Sequence, residues 1–143
     1  MTVTSRRSTL ADRALVDSSA VYALLDQRDA QHERASAALQ RLETEGAALV
    51  TSSYVLHESA ALLQSRLGLA AVRALHERFR PVFDVHWIDC DLHDRAMAAL
   101  LATGARHVSL TDWTSFELMR DLGLDTAFAF DDDFAAQGFR LVP

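Results

Sequence analysis

Apolar and polar positions along this chain switch repeatedly between two periods, and the switching predicts the architecture. "ALV" (14–16) is a short apolar pulse that ends at Asp17. From Ser19 to Asp26 the apolar residues Ala20, Val21, Leu24 and Leu25 recur at helical spacing. "QHERASAALQRLETEG" continues as a helix with Ala35, Leu39 and Leu42 inward, and Gly46 fits its stop. "AALVTS" (47–52) reads as a second strand. "SYVLHESAALLQSRLG" follows as a helix closed by Gly68, and another helix runs to about Phe79. Pro81 breaks the chain. "VFDVHWI" (82–88) then alternates, with Phe83, Val85 and Trp87 on one face and Asp84 and His86 on the other, the pattern of an edge strand. "DLHDRAMAALLATG" is a helix closed by Gly104, "HVSL" (107–110) a strand, and "DWTSFELMRDLG" a helix closed by Gly123. "TAFAF" (126–130), one or two helical turns in "DDDFAAQG" and a last strand in "FRLV" complete the chain. This alternation predicts an α/β domain with a mainly parallel sheet of about five strands and helices on both faces.

Size and charge narrow the picture. The 143 residues suit one domain that buries roughly two thirds of its unfolded surface. Net charge is −6, from 20 acids and 14 bases, and every base is arginine. That balance argues against binding nucleic acid through bulk charge, but not against a nuclease whose acids hold metal. The single cysteine, Cys90, excludes an internal disulfide and fits a reducing compartment. Residues 1–12 are polar and lack the apolar core of a signal peptide, so they read as a flexible arm before a domain spanning 13–143. With no apolar run of membrane-spanning length, a soluble cytoplasmic protein is expected.

The candidate chemistry lies in the acids. Ligands of open parallel sheets sit beyond the carboxyl ends of the strands. Asp17, Asp112 and Asp131 each follow an apolar pulse, and Glu58 lies about one and a half turns into the helix after the second strand. Singly, each aspartate is as well explained as a helix N-cap, and "TSFE" (114–117) matches a capping box. Four acids at one end of one sheet are more than capping needs. Two carboxylates about 5 Å apart repel by about 3 kcal/mol at an effective dielectric of about 20. Such a cluster takes up protons or holds a hard cation, and oxygen-only ligands suit Mg²⁺ or Mn²⁺ better than zinc. The six histidines are scattered without zinc-type spacing and read as structural or surface residues. In "FAFDDDF" Asp131 stands nearest the strand and is the preferred ligand, with Asp133 in reserve.

These segments resemble the PIN-domain nucleases. "LVDSSAVYALLD" is similar to the opening of that family, "SSYVLHESAALL" to the segment carrying its glutamate, and "VSLTDWTSFELMRDLG" with "AFAFDDDFAAQGFRLV" to its C-terminal half. The resemblance covers about residues 14 to 142 and is strongest to the toxins of VapBC-type toxin–antitoxin pairs. It implies a Mg²⁺- or Mn²⁺-dependent endoribonuclease that is inhibited by a cognate antitoxin and often a homodimer. Asp17, Glu58, Asp112 and Asp131 are then the metal ligands and catalytic acids, with Ser19 and Ser115 as supporting hydroxyls. Single-stranded or loop RNA is the implied substrate class, cut to leave a 5′-phosphate and a 3′-hydroxyl.

Two rivals stand beside this reading. A haloacid-type phosphoryl-transfer enzyme with Asp17 as nucleophile needs an acid where Ser19 stands, and a lysine that the chain lacks. A PIN-like module that binds RNA or protein without catalysis needs no metal, so a Mn²⁺ titration separates it from the nuclease. The alanine- and leucine-rich helices around residues 31–42 and 57–79 suggest an apolar groove for an antitoxin helix.

Overall fold

A computed structural model describes residues 12–143. Of the expected arm, residues 1–11 lie outside the described residues; the carbonyl of Asp12 accepts a hydrogen bond from the Ala48 amide at 2.9 Å. The elements run β1 (Arg13–Val16), α1 (Ser18–Leu25), α2 (His32–Thr44), β2 (Ala48–Ser52), α3 (Ser53–Leu67), α4 (Leu69–Ala74), β3 (Phe83–His86), α5 (Cys90–Thr103), α6 (Leu110–Leu122), β4 (Thr126–Phe128), α7 (Asp133–Ala136) and β5 (Arg140–Val142). A π-helical turn (Leu75–Phe79) and a 3₁₀ turn (Arg80–Val82) join α4 to β3. None of the described helices is long and apolar enough to cross a membrane.

All five strands pair in parallel in the order β3-β2-β1-β4-β5. β1 is therefore central, and the chain runs outward to β2 and β3 on one side and to β4 and β5 on the other. The crevice between the carboxyl ends of β1 and β4 is the point where this direction reverses. Strand alternation divides the core. Ala14 and Val16 pack with Val21, Leu42 and Leu63 beneath α1–α4, whereas Leu15, Val50 and Ala127 pack with Ala96, Phe116 and Phe134 beneath α5–α7. The sheet thus has helices on both faces, and "VFDVHWI" does supply an edge strand, shortened to Phe83–His86 with Trp87 outside it.

Two local expectations fail for the same reason. "HVSL" is not a strand: residues 107–109 turn directly into α6, which Ser109 caps. The Ser109 hydroxyl accepts from the Asp112 amide at 3.1 Å, and the Asp112 carboxylate accepts from the Ser109 amide at 2.8 Å. The capping box is therefore Ser109 to Asp112, not Thr114 to Glu117, and Thr114 donates within the helix to the Leu110 carbonyl. Both strand-edge places beside β1 are already taken by β2 and β4, so the segment gains more from capping a helix than from extending. "TAFAF" is a strand only to Phe128, so Asp131 stands on the following turn rather than at the strand's last residue.

Candidate metal centre

Asp17 occupies the crevice between β1 and β4. It caps α1, and its amide donates to the Phe128 carbonyl at 3.0 Å, fastening the two strand ends together. One carboxylate oxygen, Oδ2, accepts from the Ser19 hydroxyl at 2.6 Å and from the Ser19 amide at 3.3 Å. The Ser19 hydroxyl in turn accepts from the Phe130 amide at 3.0 Å. Ser19 thus joins Asp17 to the segment that carries Asp131. The other carboxylate oxygen, Oδ1, is buried without a hydrogen-bond partner. Burial pushes the Asp17 carboxyl up to about 6, against the pull of the Ser19 bonds, and the Glu58 charge adds to the rise.

Glu58 reaches the crevice from α3. Its Oε2 accepts from the Ser18 hydroxyl at 2.8 Å. Desolvation raises its pKa, the Ser18 bond opposes this, and the charges of Asp112 and Asp131 add to it. Asp112 arrives at the third position of α6 with one oxygen engaged in the cap. It too is pushed up to about 6, first by burial and then by the charges of Asp17 and Asp131, against the Ser109 bonds. Asp131 is raised by desolvation, against the bond its Oδ1 accepts from the Asp133 amide at 2.9 Å and alongside the charge of Asp133.

The structure therefore brings Asp17, Glu58, Asp112 and Asp131 into mutual electrostatic contact from four separate segments. Asp112, Asp131 and Asp133 come closest, each offering a carboxylate oxygen within 4.8 Å of the others. Both members of the Asp131/Asp133 alternative thus belong to the cluster. Asp133 also meets His107 Nε2 at 3.3 Å, which places one histidine at the edge of the site. Ser115 is fully buried three residues after Asp112 on α6, with its hydroxyl unpartnered. Ser18, Ser109 and His107 are contacts that sequence reasoning missed. The "DSS" doublet after β1 hinted at Ser18, but nothing local to Ser109 or His107 distinguishes them.

A divalent cation fits these residues. The donors are all carboxylate oxygens, one of them orphaned in the interior, and four acids share a direction of pKa shift that an adjacent positive charge would reverse.

Comparison with known proteins agrees with the geometry. Residues 14–140 match the PIN domain family model. The chain is 39% identical over 126 residues to the 23S rRNA-specific endonuclease VapC20 of Mycobacterium tuberculosis, in strains CDC 1551 and H37Rv, covering 87% of this chain and 93% of that protein. The crystal structure of M. tuberculosis VapC20, a sarcin-ricin loop cleaving toxin, superposes with a TM-score of 0.77 at 36% identity, covering 88% of this chain and 95% of that one. FitAcB from Neisseria gonorrhoeae shares the fold with a TM-score of 0.66 at 16% identity, over 91% of this chain and 96% of its own.

Proposed function

The chain belongs to the PIN-domain family, and from that premise we propose that it is the endoribonuclease toxin of a toxin–antitoxin pair, hydrolysing RNA phosphodiester bonds with Mg²⁺ or Mn²⁺. The observation that carries this reading is the convergence of four acids on one crevice around a buried carboxylate oxygen that has no protein partner. The identity to VapC20 supports ribosomal RNA of the large subunit, and its sarcin-ricin loop first, as the substrate to test.

Asp17, Asp112 and Asp131 would hold the cation, with Asp133 as the alternative to Asp131. The bound cation supplies charge neutralisation at the phosphate and lowers the pKa of a water. Glu58 has one oxygen engaged by Ser18 and a raised pKa, which suits it to orient the attacking water and accept its proton. Ser19 keeps Asp17 and the Asp131 turn in register. Attack by water on phosphorus, with departure of the 3′-oxygen, leaves a 5′-phosphate and a 3′-hydroxyl.

We place the protein in the cytoplasm as a homodimer restrained by an antitoxin. The groove between α1 and α4, about 530 Å³ and lined by Leu24, Leu25, Leu67, Ala71 and Phe79, offers the antitoxin an apolar face. The decisive experiment incubates the purified protein with 23S rRNA and Mn²⁺, beside a chelator control and Asp17→Asn. Cutting that chelator and Asp17→Asn both abolish is expected; undiminished cutting in Asp17→Asn would remove the site assignment.

A further inference from the structure

A second concavity lies beside the acids, and its chemistry differs from theirs. It measures about 420 Å³ and is walled by α3 on one side and by Val72 and Leu75 on the other. Ser53, Leu56, His57 and Ala60 line it at spacings of three and four, so they form a single stripe along α3. Glu58 is the next residue after His57, about 100° further round the same helix. The groove and the carboxylate cluster therefore occupy adjoining flanks of α3. Both open at the carboxyl end of the sheet, because Ser53 follows β2 and Trp87 follows β3.

Trp87 forms the rim of this groove and is 70% exposed. A single exposed apolar residue needs no explanation, but this one is held in place. His86 pairs with Ser52 in the sheet, the Ile88 amide donates to the Ser53 hydroxyl at 3.0 Å, and Asp89 caps α5. The indole is thus presented between anchored neighbours. Its groove is also free of carboxylates: the ionisable groups that line it are Arg80, His57 and His76. In a chain of net charge −6, an apolar slot rimmed by cationic groups and located beside the acid cluster matches a polyanion that carries flat apolar faces.

We propose that this groove is a stacking subsite for a nucleobase of the RNA strand, with Trp87 as platform and Arg80 as the counter-charge to a neighbouring phosphate. The proposal rests on the ribonuclease reading and assigns part of its substrate path. Proteins that recognise single-stranded or splayed-out RNA stack bases on aromatic and guanidinium planes, and such stacking tolerates any base. Trp87 would therefore set the path of the strand past Glu58 rather than read its sequence. The acids alone cannot attract a polyanion, so affinity must come from surfaces such as this one.

The test measures binding separately from cutting. The full-length protein, in chelator so that no cutting occurs, is titrated with a labelled single-stranded RNA dodecamer of mixed sequence. Indole fluorescence provides a second reading, because Trp113 is only 7% exposed and Trp87 dominates any quenching by the RNA. Trp87→Ala is expected to weaken binding by about tenfold or more, and Trp87→Phe to restore most of it. Mn²⁺ affinity should be the same in all three proteins. Equal RNA affinity in wild type and Trp87→Ala, in a protein whose cutting still depends on Asp17, overturns the subsite while the nuclease stands. A change of oligomeric state in Trp87→Ala by sedimentation assigns the indole to contact between copies and also overturns it. A wild-type protein that neither binds nor cuts RNA with Mn²⁺ sinks both readings.

Discussion

Asp17 shows what a metal site costs a protein before the metal arrives. Its folded-state pKa of about 6 lies above the ordinary 3.8, so between those values the native state holds a proton that the unfolded chain has released. Stability of the metal-free protein from this group is therefore greatest at low pH and falls as pH rises through about 4 to 6. Asp17→Asn removes that penalty. In chelator, its melting temperature should match wild type near pH 4 and exceed it near pH 7, while cutting falls at least about a hundredfold; a difference that does not vary with pH would contradict burial as the cause. Ser18 gives a second prediction at this scale. Its hydroxyl holds the Glu58 pKa down against desolvation, so Ser18→Ala should move the acid limb of the pH–rate profile to higher pH. The four acids were legible because each follows an apolar pulse or sits in the helix after one. Ser18's partner was not, because Glu58 is 40 residues away and only the fold brings them together.

The helix start at α6 shows where periodicity misleads. Four residues of mixed polarity before Asp112 read as a strand, and the strand supplied an apparent reason for an acid at its end. The structure keeps the acid in the crevice for a different reason: Asp112 is the third residue of a capped helix, and Ser109 holds it there from both directions. A cap and a ligand are thus the same side chain, which is why weighing one reading against the other could not decide its role. Ser109→Ala should lower stability by about 1 kcal/mol and also weaken Mn²⁺ binding, because the released carboxylate regains rotamer freedom. Ser109→Thr keeps the hydroxyl and should restore both. Loss of stability with unchanged Mn²⁺ affinity would separate the cap from the site. The other elements were legible within a few residues because strong local punctuation marks them, as with Gly104 and Gly123, which end α5 and α6 in the left-handed conformation.

At the scale of the whole molecule, strand order could not be read from the sequence, yet it places the site. β1 at the centre with β4 beside it puts Asp17 opposite the Asp131 turn, while α3 and α6 bring Glu58 and Asp112 in from opposite faces. A cation in the crevice would therefore tie together segments from positions 17, 58, 112 and 131, which span most of the described chain. Such a ligand binds only the folded state, so at about a hundred times its dissociation constant it adds about 2.7 kcal/mol. For a chain of this size that corresponds to a rise of about 8 °C in melting temperature. Mn²⁺ should give that rise in wild type at pH near 7, where the acids are ionised, and little of it in Asp17→Asn. The same titration decides between the two candidates of the acid triplet. If Asp131 is the ligand, Asp131→Ala loses the shift and Asp133→Ala keeps most of it; the reverse assigns Asp133. Equal loss in both means that the turn acts as one unit, as expected if the bond from the Asp133 amide to Asp131 sets the position of both carboxylates.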